Sequence, residues 1–160
     1  MDEHKKLTDL IEDFNTAMLV THHPQHGVDA RPMAIAQVDH DGAMWFISDR
    51  HSGKMEDIAA DSNAAVTLQG GNKFVSLSGK LRTIDDRAKV GELWQESWKV
   101  WFPEGVDDPA IILLKLTPER GEYWDNSGFQ GAKYLLKAGK AYLQGSKPTT
   151  SKDEHARISM

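Results

Sequence analysis

Apolar residues first recur at helical spacing. Leu7, Leu10, Ile11 and Phe14 mark one face of an amphipathic helix over residues 6–15, with Asp and Glu on the other. The pattern then changes to short apolar runs bounded by turn residues. Runs at 17–21 and 30–38 read as two strands joined through His23-Pro24-Gln25-His26-Gly27, and Asp39-His40-Asp41-Gly42 turns the chain into an apolar strand at 43–48. A short helix is expected at 55–60. Strands at 64–68 and 74–81 flank Gly70-Gly71-Asn72-Lys73, whose residue types suit a hairpin turn. Asp85 or Asp86 is a suitable N-cap for a helix running to about residue 100. Val90, Trp94, Trp98 and Trp101 form its stripe, which packs in a core or at a subunit interface, an aromatic platform for a ligand ring being the alternative. After a loop at 102–109 come strands at 110–117 and 121–124, the turn Asp125-Asn126-Ser127-Gly128 and a last helix over 131–143.

Strands joined largely by hairpins, with helices at the ends, predict a mainly β (α+β) fold, an antiparallel barrel with peripheral helices. A doubly wound sheet would need regular strand–helix alternation, and no glycine-rich loop of the G-x-G-x-x-G or Walker type is present. The 160 residues suit one domain over residues 1–144, and the Lys-, Thr- and Ser-rich stretch 145–160 reads as a flexible tail. The absence of cysteine excludes disulfides, thiolate nucleophiles and cysteine-based metal centres. A charged start without a signal-peptide core and the lack of a long apolar run imply a cytoplasmic protein with no membrane span. A net charge of -5 with scattered Lys and Arg argues against a nucleic-acid partner.

Candidate chemistry concentrates in Ser48-Asp49-Arg50-His51-Ser52-Gly53-Lys54, between a strand and a helix. Ser48, Arg50, Ser52 and Lys54 offer donors to an anion, Gly53 permits close backbone approach, and the helix start adds N–H groups. The same residues also fit a plain helix cap at Ser52 with Arg50 and Lys54 in solvent, and spacing does not choose between the two. Arg31, in Arg31-Pro32-Met33, is a second cation that reaches the same anion if its strand neighbours the one ending at Ser48. His22, His23 and His26 share a hairpin but lack a carboxylate set for a metal site, so no metal is expected. No nucleophile elbow is present.

The order of Arg31-Pro32-Met33, Trp45 through Lys54, Phe74-Val75-Ser76-Leu77-Ser78-Gly79 and Glu122-Tyr123-Trp124-Asp125 resembles the pyridoxamine 5'-phosphate oxidase-like FMN-binding split barrels, in particular their general stress protein branch. The resemblance implies an antiparallel split barrel that binds FMN, with FAD as a possible substitute. It implies phosphate contacts from Arg31, Ser52 and Lys54, and a flavin ring lined by Pro32, Met33, Ile47 and Ser48. It also implies a homodimer in which Trp124 approaches the flavin of the partner chain. True oxidases of this type carry a Lys where this chain has Ala36, a Gln where it has Phe74, and an Arg and His cluster where it has Asp125-Asn126-Ser127-Gly128-Phe129-Gln130. Vitamin B6 oxidation is therefore not expected. The function implied is a flavin-dependent oxidoreductase acting on a small-molecule substrate and electron donor that the sequence leaves open, or a flavin-storing stress protein without turnover.

Overall fold

Among the described residues, seven antiparallel strands build one sheet, and one edge of the longest strand is shared between two neighbours. The computed structural model describes residues 2–147 and 154–160. Helix α1 (Glu3–Glu12) starts at Asp2, whose carboxylate accepts from the His4 N–H and caps the first turn. Strands β1 (Thr16–His23), β2 (Gly27–Val38) and β3 (Met44–Asp49) follow, then α2 (Lys54–Ala60), β4 (Asn63–Gly70) and β5 (Lys73–Ile84). After α3 (Arg87–Leu93), two short 3-10 turns at Glu96–Val100 and Gly105–Asp107 lead to β6 (Ile111–Asp125), α4 (Gly128–Gln144) and β7 (His155–Ser159). The sheet order is β3-β2-β1-β4-β5-β6-β7, and β3 also pairs with β6, which closes six strands into a barrel. One edge of β6 is shared: residues 111–116 pair with β3 and residues 120–124 with β7.

Two apolar cores sit on opposite faces of β3. Met44 and Phe46 point into the barrel with Leu19, Leu77 and Leu114, beneath Leu7, Leu10 and Ile11 of α1. Trp45 and Ile47 point outward, where Val90, Leu93, Trp98 and Phe102 cover them. This double burial explains why β3 is apolar throughout rather than alternating.

The mainly β, split-barrel expectation holds, with three differences in its elements. The helix expected over 85–100 ends at Leu93; Asp86 caps it, accepting from the Lys89 N–H, but Trp94 is extended and the rest is 3-10. The strands expected at 110–117 and 121–124 are one strand, because β6 passes through Pro118 and takes up one extra residue, Glu119, opposite the Ser78/Gly79 step of β5. A Cβ at Gly79 would overlap the Thr117 carbonyl there, so glycine allows the two strands to close. Finally, the end of the tail joins the sheet: Ala156 and Ile158 are buried, and residues 155–159 pair with β6. Residues 148–153 lie outside the described part. Among the described residues, no helix is long and apolar enough to cross a membrane.

Candidate functional site

Strands β2 and β3 pair only near one end, through Ile35, Gln37 and Val38 against Phe46, Trp45 and Met44, with a bulge at residue 36. Beyond Ile35 they diverge. Residues 27–34 of β2 still pair with β1, and residues 47–49 of β3 still pair with β6, so each keeps one open edge facing the gap. Pro32 lies opposite Met18 inside the β1 pairing, which places its donor-less nitrogen on the open edge. The gap is a cavity of about 550 Å³, a size suited to a small-molecule ligand. Pro32, Met33 and Ala34 form one wall, Ile47, Ser48 and Asp49 the other, and Lys54 closes one end. Val100, Trp101 and Phe102 supply a third wall.

Lys54 gives this cavity its electrostatic character. Its ammonium donates to Ser48 Oγ at 2.9 Å and to Ser52 Oγ at 2.8 Å. Because both hydroxyl oxygens accept from Lys54, their own protons are free to point toward a ligand. Among the described residues, no carboxylate lies within ion-pair distance of Lys54. Burial and then the nearby Arg31 push its pKa below the usual lysine value, against a smaller opposing pull from Asp49. A half-buried cation that lacks an ion-pair partner is prepared for an anion.

Arg31 is held from behind. Its guanidinium donates to Thr21 Oγ1 at 2.7 Å and to Asp57 Oδ2 at 3.4 Å, and Thr21 donates to the same Asp57 oxygen at 2.7 Å. Thr21 and Asp57 are both buried. Asp57 offsets the Arg31 charge, so Lys54 stands beside Ser48 and Ser52 with Asp49 as the carboxylate that acts on it across the cavity wall.

The two readings of the Ser48-to-Lys54 loop can now be compared. Ser52 bonds Lys54 rather than capping α2, and Lys54 is not in solvent, so the plain-cap reading fails at both. Arg50, expected as an anion donor, instead forms a two-pronged pair with Asp85 and donates to the Ile111 carbonyl at 2.9 Å. The Met55 and Glu56 N–H groups are used by the Ser52 and Gly53 carbonyls. Gly53 has nothing within 4 Å of a notional Cβ, which leaves its surface open.

Of the expected site residues, Pro32, Met33, Ile47, Ser48 and Lys54 line the cavity, Ser52 joins them through Lys54, and Arg31 stands beside Lys54. Trp124 is not brought there within one chain; it lies near the far end of β6, stacked on His155 with ring centroids 5.2 Å apart. The sequence reading missed the third wall and the Thr21–Asp57 support. The Trp stripe carried the signal for the wall: Trp98 is buried as a packing residue, whereas Trp101 is 61% exposed at the cavity. His22 pairs with Asp61, His23 stacks on His26, and Asp125 is bound by Lys6 and Ser127. Among the described residues, no cluster of three or more His, Cys, Asp or Glu is placed to hold a metal.

The profile of a family described as pyridoxamine 5'-phosphate oxidase like matches residues 2–149. Among solved structures, a general stress protein 26 from Jannaschia sp. CCS1 is 30% identical, covering 98% of this chain and 97% of its own, with a TM-score of 0.74. A general stress FMN/FAD binding protein from Xanthomonas citri is 26% identical over 78% of this chain and 89% of its own, with a TM-score of 0.67. The general stress protein 26 of Bacillus anthracis shares the fold at 24% identity and a TM-score of 0.68, covering 77% of this chain and 94% of its own. Comparison with curated proteins gave no match.

Proposed function

The chain belongs to the pyridoxamine 5'-phosphate oxidase like family, and from that premise we propose that the cleft between β2 and β3 binds FMN. The carrying observation is Lys54, half-buried, with no ion-pair partner among the described residues, and beside Arg31. In this reading Lys54, Ser52 and Arg31 hold the phosphate, with the hydroxyl protons of Ser48 and Ser52 completing its shell. The apolar walls at Pro32, Met33 and Ile47 exclude water from the ring, and the open strand edges offer backbone donors and acceptors to its polar rim. FAD is read as a competing ligand of the same cleft.

When bound, the isoalloxazine supplies the electron-transfer chemistry, and the protein supplies position and electrostatics. We read the protein as a flavin-dependent oxidoreductase that works as a homodimer, with Trp124 reaching the flavin of the partner chain. Its small-molecule substrate is not a phosphorylated vitamin B6 compound, since the described residues 125–128 carry no cation to receive a second phosphate. A second reading, flavin retention without turnover, is favoured by the cleft's sparse chemistry: of the lining residues only Asp49 and Lys54 carry charged side chains, and Lys54 is committed to the phosphate. Two measurements test this. Protein mixed with FMN and desalted should retain a flavin absorption band. Bleaching of that band by NADH or NADPH, followed by recovery with an acceptor, supports the oxidoreductase; a band that no donor bleaches supports retention only.

A further inference from the structure

The tryptophans differ in what holds them. Trp45 donates to Asp39 Oδ2 at 2.9 Å and lies between the ammonium groups of Lys89 and Lys115, each 4.8 Å from its ring centroid. Trp94 donates to Glu96 Oε1 at 2.9 Å and meets the buried Trp98 edge to face, with ring centroids 5.8 Å apart. Trp124 stacks on His155. Among the described residues, Trp101 has no stacked ring, no cation over its face and no hydrogen bond to its indole N–H, and it is mostly exposed at the wall of the cleft. The faces and the N–H of an indole are ordinarily satisfied inside a fold. Those of Trp101 are left open beside a cavity.

The segment that carries this ring is fixed. Trp98 and Phe102, on either side of Trp101, are buried and pack on the outward face of β3 with Trp45 and Ile47. The Trp101 and Phe102 N–H groups both donate to the Trp98 carbonyl at 3.0 Å. Farther along, the Gly105 N–H donates to the Phe102 carbonyl and the Asp108 N–H to the Gly105 carbonyl, while Arg87 of α3 donates to the Asp108 carbonyl at 2.8 Å. The buried Asp108 carboxylate accepts from the Ala110 N–H at 3.0 Å. A ring held on a preformed wall receives a second ring with little further ordering.

The cleft has a cationic end at Lys54 and an uncharged body formed by Pro32, Met33 and Ile47 with Val100, Trp101 and Phe102. Phe102 shares a packed cluster with Ile47, which sets this third wall against β3 itself rather than against the loop that follows it. A ligand that fills both parts joins an anion to an apolar body, and an open indole face selects a flat ring for that body. We propose that Trp101 stacks on the isoalloxazine of the flavin bound by its own chain, holding the ring end of the ligand as Lys54 holds the phosphate end. The inference rests on the reading of the cleft given above. It adds a contribution that does not depend on the phosphate, and one that salt leaves unscreened because no charge is involved.

The test compares Trp101→Ala and Trp101→Phe with the unaltered chain for binding of FMN, riboflavin, FAD and lumiflavin, the last being the ring without its side chain. Trp101 is mostly exposed, so neither substitution opens the core. Trp101→Ala should bind FMN, riboflavin and lumiflavin about tenfold more weakly, by factors that agree within about threefold and do not change with salt. Trp101→Phe should recover most of the loss. Flavin bound to Trp101→Ala should also emit more strongly than flavin bound to the unaltered chain, since an adjacent indole quenches the excited ring. The proposal is overturned if FMN and riboflavin bind Trp101→Ala as tightly as the unaltered chain, or if Trp101→Phe loses as much as Trp101→Ala. A loss confined to FAD also overturns it, placing the indole on the adenine. FMN binding that weakens in Lys54→Met but not in Trp101→Ala would sink the stack and keep the flavin reading. Lumiflavin binding that weakens in Trp101→Ala, in a chain to which the FMN phosphate adds no affinity, would keep the stack and sink the phosphate assignment. A chain that binds none of the four ligands overturns both.

Discussion

Replacing Lys54 by methionine removes the ammonium between Ser48 and Ser52 and keeps the length and apolar stem of the side chain. A hydrogen bond to a charged group contributes about 1.5 to 3 kcal/mol, and each 1.4 kcal/mol is about tenfold in affinity, so FMN should bind about 10- to 150-fold more weakly. Riboflavin, which lacks the phosphate, should change by less than about threefold. Quenching of flavin fluorescence at fixed ionic strength measures both. The pH dependence has a defined sign. Burial and Arg31 hold the Lys54 pKa below its usual value, and a bound phosphate pushes it back up, so FMN affinity should fall as pH rises through the pKa of the ligand-free protein. Between that lowered value and 10.5 the unfolded chain binds more protons than the folded one, so stability from this group rises with pH. At neutral pH the buried ammonium is a cost, and Lys54→Met should raise the Tm of the flavin-free protein. Equal losses for FMN and riboflavin, or an unchanged FMN affinity, would refute the phosphate assignment.

Asp57→Ala removes the acceptor shared by Thr21 and Arg31; it should lower stability by about 2 kcal/mol in urea unfolding and weaken FMN more than riboflavin, because Arg31 loses its support. Gly79→Ala forces a methyl against the Thr117 carbonyl opposite the β6 bulge and should cost at least about 3 kcal/mol, read by the same unfolding experiment. Hydrogen bonding from His155, then Arg157, holds the Glu122 carboxyl below its usual range, so its stabilisation is complete above about pH 5 and lost as pH falls further. Glu122→Gln should therefore shrink the fall in Tm between about pH 7 and about pH 3.5; an unchanged fall would remove that pair from the account.

Where sequence and structure agree, local chemistry decided the outcome. The hairpins follow their turn residues, and β3 shows its double burial as an unbroken apolar run that ends at the polar Ser48. Pro32, Met33, Ile47, Ser48 and Lys54 were named from motif order, and the divergence of β2 from β3 brings them to one cleft. Where they disagree, a distant partner decided. Pro118 looks like a strand break until the bulge at Glu119, opposite Gly79, accommodates it. The His155–Ser159 strand is too short to stand out and forms because β6 leaves residues 120–124 an open edge. Arg50 and Lys54 are equally cationic on paper, but Asp85 captures the first, and among the described residues no acid pairs with the second. Trp94, Trp98 and Trp101 recur at helical spacing, yet the helix ends at Leu93, and Trp101 faces the cleft instead of the core.

The central claim is tested most directly by a crystal structure of the chain with FMN. The account predicts the phosphate within hydrogen-bond distance of Lys54 Nζ and Ser52 Oγ, with Arg31 beside it, and the ring between residues 32–34 and 47–49. A flavin bound elsewhere, or one whose phosphate lies away from Lys54, would contradict it.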